Sequence, residues 1–153
     1  MNDDGSLPDI FVDNISTQDT LKIVSWVETL IAPRPFTVWN IEDKRDETLT
    51  SPSKALNLFQ RDKIESFRFR AENISIKNHT IPDLGFGIYG VDTLELDYRM
   101  GDEWTDTTII AFLDLLSSMI KIAPTAVIQR CDEGCSPNYD SDFFNALSEF
   151  QKV

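Results

Sequence analysis

Histidine and cysteine are nearly missing from this chain: there is one histidine, His79, and two cysteines, Cys131 and Cys135. Two thiols do not make a disulfide framework, so the expectation is a cytoplasmic protein in a cell that keeps them reduced. His79 sits in a turn-like Asn78-His-Thr80, with no Gly-x-Ser-x-Gly elbow and no cysteine close by, so no signature of nucleophilic catalysis is present. Glycine is scarce, and half of the six glycines fall in Leu84-Gly-Phe-Gly-Ile-Tyr-Gly90. Their spacing is not that of a dinucleotide or phosphate loop, and no P-loop lysine follows. Alternating with apolar residues, they fit close packing within a sheet or a bulge. No apolar run approaches the roughly 18 residues of a membrane span. Met1-Asn-Asp-Asp-Gly5 has neither the basic nor the apolar part of a secretory signal.

Positive charge is the other shortage. Fourteen Lys and Arg face 26 Asp and Glu over 153 residues, a net charge of −12. The two ends carry the excess. Residues 1–50 hold ten acids and four bases, residues 101–153 nine and three, whereas residues 51–100 hold seven of each. Such a field repels nucleic acid and anionic membranes and speeds encounter with cationic partners.

What remains is enough for a core. A 153-residue chain fits one domain, and 41% of it is hydrophobic, including ten Phe and three Trp. Residues 1–9 read as a flexible polar N-terminus and 10–153 as a single domain. Ile10-Phe-Val12 reads as a short strand. Ser16-Thr-Gln-Asp19 starts a helix in the manner of a capping box. Leu21, Val24, Val27 and Ile31 form its apolar stripe, widened by Trp26 and Leu30, and Pro33 and Pro35 end it. Phe36 to Ile41 reads as a strand, and the charged run Glu42 to Glu47 as a loop. Ser51-Pro52 opens a short second helix carrying Ala55, Leu56, Leu58 and Phe59. Phe67 and Phe69 alternate with Arg68 and Arg70 in a strand, and Ile74 and Ile76 continue the alternation. Asn78-His-Thr80 and Pro82 to Gly85 read as turns. Phe86–Tyr89 and Thr93–Tyr98 read as strands joined at Gly90 to Asp92. Leu94, Leu96 and Tyr98 are expected to face the core, with Glu95 and Asp97 outward. A long helix spans about Asp106 to Ile122, capped by Thr105, with Trp104 and Ile109 at the spacing of a hydrophobic staple. Ile109, Phe112, Leu113, Leu116 and Ile120 line one face of it. Pro124 stops it, Thr125–Ile128 reads as a strand, and Cys131 to Asp140 as a polar loop. Ser141 caps a last amphipathic helix with Phe143, Leu147 and Phe150. The expected architecture is α+β: a central, mainly antiparallel sheet of about five strands with three or four helices.

Cys131-Asp-Glu-Gly-Cys135 lacks the second ligand pair of a zinc site, which His79, Asp132, Glu133 and Asp140 supply only if the fold gathers them; no metal and no cofactor are expected. Among 26 acids, pairs such as Glu95 and Asp97 arise by chance. Arg68 and Arg70 are their natural partners, in cross-strand ion pairs on a solvated sheet face. The acidic stretches are more distinctive. Asp102 to Asp114 holds four acids and no base, and Asp132 to Glu149 five acids and no base. Acids beside an aromatic anchor suit capture of a basic protein surface. The candidate partner-binding residues are Asp102, Glu103, Asp106, Asp132, Glu133, Tyr139, Asp140 and Asp142. No residue is assigned as catalytic.

Leu94-Glu-Leu-Asp-Tyr-Arg-Met-Gly-Asp-Glu-Trp-Thr105, followed by its long amphipathic helix, resembles bacterial immunity proteins, the cognate inhibitors encoded with contact-dependent or polymorphic toxins. The likeness covers residues 80–128 and includes size, acidity and the lack of a signal. Those proteins share no single motif, so no functional residue carries over by position. The resemblance implies a non-enzymatic inhibitor that forms a tight complex with a toxin domain, often a cationic nuclease, and that is monomeric beforehand. Type III secretion chaperones are similar in size, acidity and α+β composition, but work as dimers around an effector segment. A small hydrolase and a DNA-mimicking inhibitor are further alternatives.

Overall fold

The computed structural model describes residues 9–32, 34–98 and 104–131. Its centre is a five-stranded antiparallel sheet with strand order β4-β7-β8-β1-β9. The strands are β1 (Asp9–Asp13), β4 (Phe67–Ala71), β7 (Leu84–Ile88), β8 (Thr93–Tyr98) and β9 (Val127–Cys131). Two small hairpins accompany it: β2 (Phe36–Asn40) with β3 (Arg45–Leu49), and β5 (Ile74–Ile76) with β6 (His79–Ile81). The helices among the described residues are α1 (Thr17–Glu28), α2 (Pro52–Gln60) and α3 (Asp106–Ile122). This is the α+β architecture that the sequence implies.

Period-two alternation decides which sheet face meets the core. Ile10 and Val12 of β1, Phe67 and Phe69 of β4, Phe86 and Ile88 of β7, and Leu94, Leu96 and Tyr98 of β8 are all buried. On this face α3 docks through Phe112, which meets Tyr98 edge-on at 5.3 Å, with Trp104 tilted against both rings. The β2–β3 hairpin docks through Phe36, stacked on Phe67 at 5.8 Å.

The capping residues act as their types require. Ser16 accepts the Asp19 amide at 3.0 Å and Ser51 the Lys54 amide at 3.2 Å; Thr105 caps α3 through the Thr108 amide. Pro52 occupies the first turn of α2, where no amide hydrogen is missed. Lys77 and Asn78, at φ 49° and 68°, form the two-residue turn between Ile76 and His79.

Several elements differ from their sequence reading. The charged run after Ile41 is not all loop. Its second half is β3, paired with β2 from Phe36↔Leu49 to Asn40↔Arg45. The Asp43 amide donates to Asn40 Oδ1 at 2.8 Å, and Lys44 adopts φ 52°, which together close the turn. His79 begins β6 and does not lie in the turn, and Leu84 and Gly85 belong to β7. α1 ends at Glu28, before Ile31, and its buried face is Thr20, Ile23, Val24 and Val27. α3 buries Ala111, Phe112, Leu115, Leu116 and Met119, a stripe rotated from the expected one; Ile109, Leu113 and Ile120 are only partly covered. β9, the last strand among the described residues, runs to Cys131, so that residue ends a strand and does not open a loop. The Asn14 side-chain amide donates to the Thr125 carbonyl at 3.0 Å, and the Thr125 hydroxyl returns a bond to the Asn14 carbonyl at 2.9 Å, which holds the approach to β9 beside β1. The expected last helix from Ser141 lies outside the described residues. No helix among the described residues is long and apolar enough to cross a membrane.

Candidate functional site

On the sheet face away from the core, β4 presents Arg68 and Arg70, β7 presents only Gly85 and Gly87, and β8 presents Glu95 and Asp97. The register aligns them in two rows across three strands, Arg70–Gly85–Asp97 and Arg68–Gly87–Glu95. Neighbouring strands lie about 4.8 Å apart, so an arginine and an acid two strands apart meet only if nothing stands between them. The glycines leave that space. Arg70 Nη1 donates to Asp97 Oδ1 at 3.1 Å, and its Nη2 to Asp83 at 2.7 Å. Arg68 contacts Asp97 Oδ2 and lies 3.8 Å from Glu95. It also donates to the Tyr89 hydroxyl, with its guanidinium 5.9 Å from the centre of that ring. The sequence reading anticipated these ion pairs but placed them on neighbouring strands and in solvent. Asp97 is only 6% exposed, and its Oδ2 lies beside Arg68 without hydrogen-bond geometry. The glycine run is thereby explained as a trough that lets charge cross the sheet. The two arginines are thus shared among three carboxylates, Asp83, Glu95 and Asp97, which ties up the charges of this face within the sheet.

Among the described residues, two further surfaces that combine acids with exposed apolar groups bear on binding. The first is the start of α3. Asp106 occupies its first turn, where a carboxylate complements the helix dipole. It is exposed, and Ile110, one turn later on the same side, is 51% exposed. Asp106 thus lies at the start of α3, the position expected from the sequence. The other candidates, Asp102, Glu103, Asp132, Glu133, Tyr139, Asp140 and Asp142, lie outside the described residues. His79 is an exposed strand residue, and no group of three potential metal ligands occurs among the described residues.

The second surface is the outer face of the β2–β3 hairpin, which the sequence reading missed. Val38 points inward and is buried, whereas Trp39 is 39% and Ile41 44% exposed. Asp46 stands directly opposite Trp39 in the ladder. The signal was the alternation Phe36-Thr-Val-Trp-Asn-Ile41 itself, which sends Trp39 and Ile41 away from Phe36 and Val38.

No protein-family model and no curated protein matches the chain. A solved structure does match in fold. One chain of the 1.75 Å crystal structure of the toxic C-terminal tip of CdiA from Pseudomonas aeruginosa in complex with immune protein aligns with a TM-score of 0.52. The match covers 84% of this chain and 87% of that one at 14% identity, a likeness of fold.

Proposed function

We propose that this chain is an immunity protein of a contact-dependent or polymorphic toxin system, which neutralises a cognate toxin domain by forming a tight complex. The observation that carries this reading is the fold shared along most of its length with a chain of a toxin–immunity complex. Fold alone suits either member of such a pair. The net charge of −12 favours the inhibitor, whose task is to capture a basic, nuclease-type toxin. In this reading the chain catalyses nothing, needs no cofactor, and waits in the bacterial cytoplasm as a monomer. The acids at the start of α3 and in the late segment from Asp132 to Asp142 steer the encounter.

Expression in a bacterial host tests it. Induced alone, the chain should leave growth unchanged. Co-expressed with the toxic C-terminal domain encoded beside its own gene, it should restore growth and co-purify with that domain in a one-to-one complex. Growth arrest by the chain alone would identify it as the toxin member instead. A stable homodimer that ignores the neighbouring domain would point to the chaperone class.

A further inference from the structure

We infer that the outer face of the β2–β3 hairpin, centred on Trp39 and Asp46, is a docking surface for cationic side chains of a protein partner. The inference deepens the inhibitor reading, on which the partner's identity rests, and assigns it a surface.

Side chains directly opposite in an antiparallel pair project together, with Cβ atoms about 5 Å apart. Trp39 and Asp46 are such a pair, and both are exposed. The Trp39 ring makes no aromatic or cation–π contact among the described residues, while its backbone carbonyl is fixed by the Glu65 amide at 3.1 Å. Ile41 is fixed likewise, its amide donating to the Lys63 carbonyl at 3.0 Å. The surface is therefore apolar and mounted on a backbone braced from both sides.

Its charge selects the occupant. The hairpin carries Glu42, Asp43, Asp46 and Glu47 against Lys44 and Arg45. Arg45 lies 3.6 Å from Asp43 and 3.4 Å from Glu47, and Lys63 lies 3.6 Å from Glu42. Asp46 makes no ion pair among the described residues. An arginine stacked on the Trp39 indole brings its guanidinium within reach of that carboxylate, which combines a cation–π contact with a charge-assisted hydrogen bond. A second copy of this chain is a poor occupant, because it brings the same acids against these.

The test has two arms. In the first, the toxin domain encoded beside the gene is titrated against the wild-type chain and against Trp39→Ala, Asp46→Asn and Asp106→Asn. Trp39→Ala should weaken binding about thirtyfold, as expected for a central aromatic anchor, and Asp46→Asn about tenfold. Asp46→Asn should leave the melting temperature unchanged, whereas Trp39, 39% exposed, also gives up the packing of its covered part, so both titrations are run well below the lower melting temperature. If the wild type binds and Trp39→Ala binds equally well, the hairpin is not the docking surface and the inhibitor reading stands. If the wild type does not bind, that reading fails and the second arm judges the surface. There, hexa-arginine peptide is titrated into ¹⁵N-labelled protein. Shifts should centre on the Trp39 indole and the Asp46 amide, and vanish in Trp39→Ala. Shifts confined to the start of α3, or a concentration-dependent homodimer that Trp39→Ala dissolves, would overturn the assignment.

Discussion

Alanine at Gly85 tests the glycine trough most directly. A Cβ there would lie 2.6 Å from Arg70 Nη1 and 2.6 and 2.7 Å from the two Asp97 carboxylate oxygens. Such distances cannot persist, so a side chain must move. Arg70 is long and half-exposed, but Asp97 is short and buried, and its displacement breaks the bond to Arg70. Gly85 has no positive φ, so alanine brings no backbone strain. Overpacking costs about 1–3 kcal/mol, and the lower entropy of unfolded alanine offsets about 0.4–1 kcal/mol. The expected net loss is about 1–2 kcal/mol, a fall in Tm of roughly 2–8 °C for a chain of this size. Gly87→Ala should cost less. Its Cβ would strike Tyr89 Cε2 at 2.5 Å, and that ring, 47% exposed, can swing outward at the cost only of its contact with the exposed Arg68. Urea unfolding of Gly85→Ala, Asp97→Ala and the double variant closes a cycle. In the Asp97→Ala background the Gly85→Ala penalty should largely disappear. A neutral Gly85→Ala, or a penalty undiminished in that background, would refute the trough.

Other outcomes are equally specific. Lys77 Nζ lies 3.1 Å from Asp114, whose side chain is 9% exposed, and so ties the β5–β6 hairpin to α3. Lys77→Ala should destabilise by about 1–2 kcal/mol in chemical denaturation, discounted for the exposed lysine, and Asp114→Asn should recover part of the loss. Ser51 caps α2 and also donates to Glu28 at 2.7 Å, so Ser51→Ala should lower stability by about 1–2 kcal/mol. Changing Asp132, Glu133, Asp140 and Asp142 together to Asn or Gln should leave Tm nearly unchanged and weaken toxin binding at least about tenfold, or 1.4 kcal/mol, in calorimetric titration. For the wild type, stopped-flow k_on should fall as salt rises while k_off changes less.

The α+β class, the starts of all three described helices, and the inward faces of β4 and β8 follow from local chemistry. Ser16, Ser51 and Thr105 cap because their oxygens satisfy amides two or three residues on, and the alternation of Phe67 with Arg68 or of Leu94 with Glu95 needs only the two-residue period of a strand. Where sequence reasoning went astray, a distant contact outweighed the local pattern. The charges of Arg45-Asp-Glu47 argue for a loop, yet their backbone amides and carbonyls are taken up by β2. The buried stripe of α3 is rotated toward Ala111, Leu115 and Met119, since the helix also packs against the β5–β6 hairpin and α1, and no helical periodicity encodes those partners. Of the strand order, only the neighbourhood of β7 and β8 was legible, from the turn at Gly90 to Asp92. The order inserts β7 between β4 and β8, which turns Gly85 into the gap that Arg70 spans to reach Asp97, and it buries an acid that alternation alone had placed in water. Local chemistry set the helix caps and the facing of the strands that alternate most cleanly, β4 and β8. Only tertiary structure decided which elements became neighbours, because pairing energies between strands far apart in sequence depend on register and burial that no single segment contains.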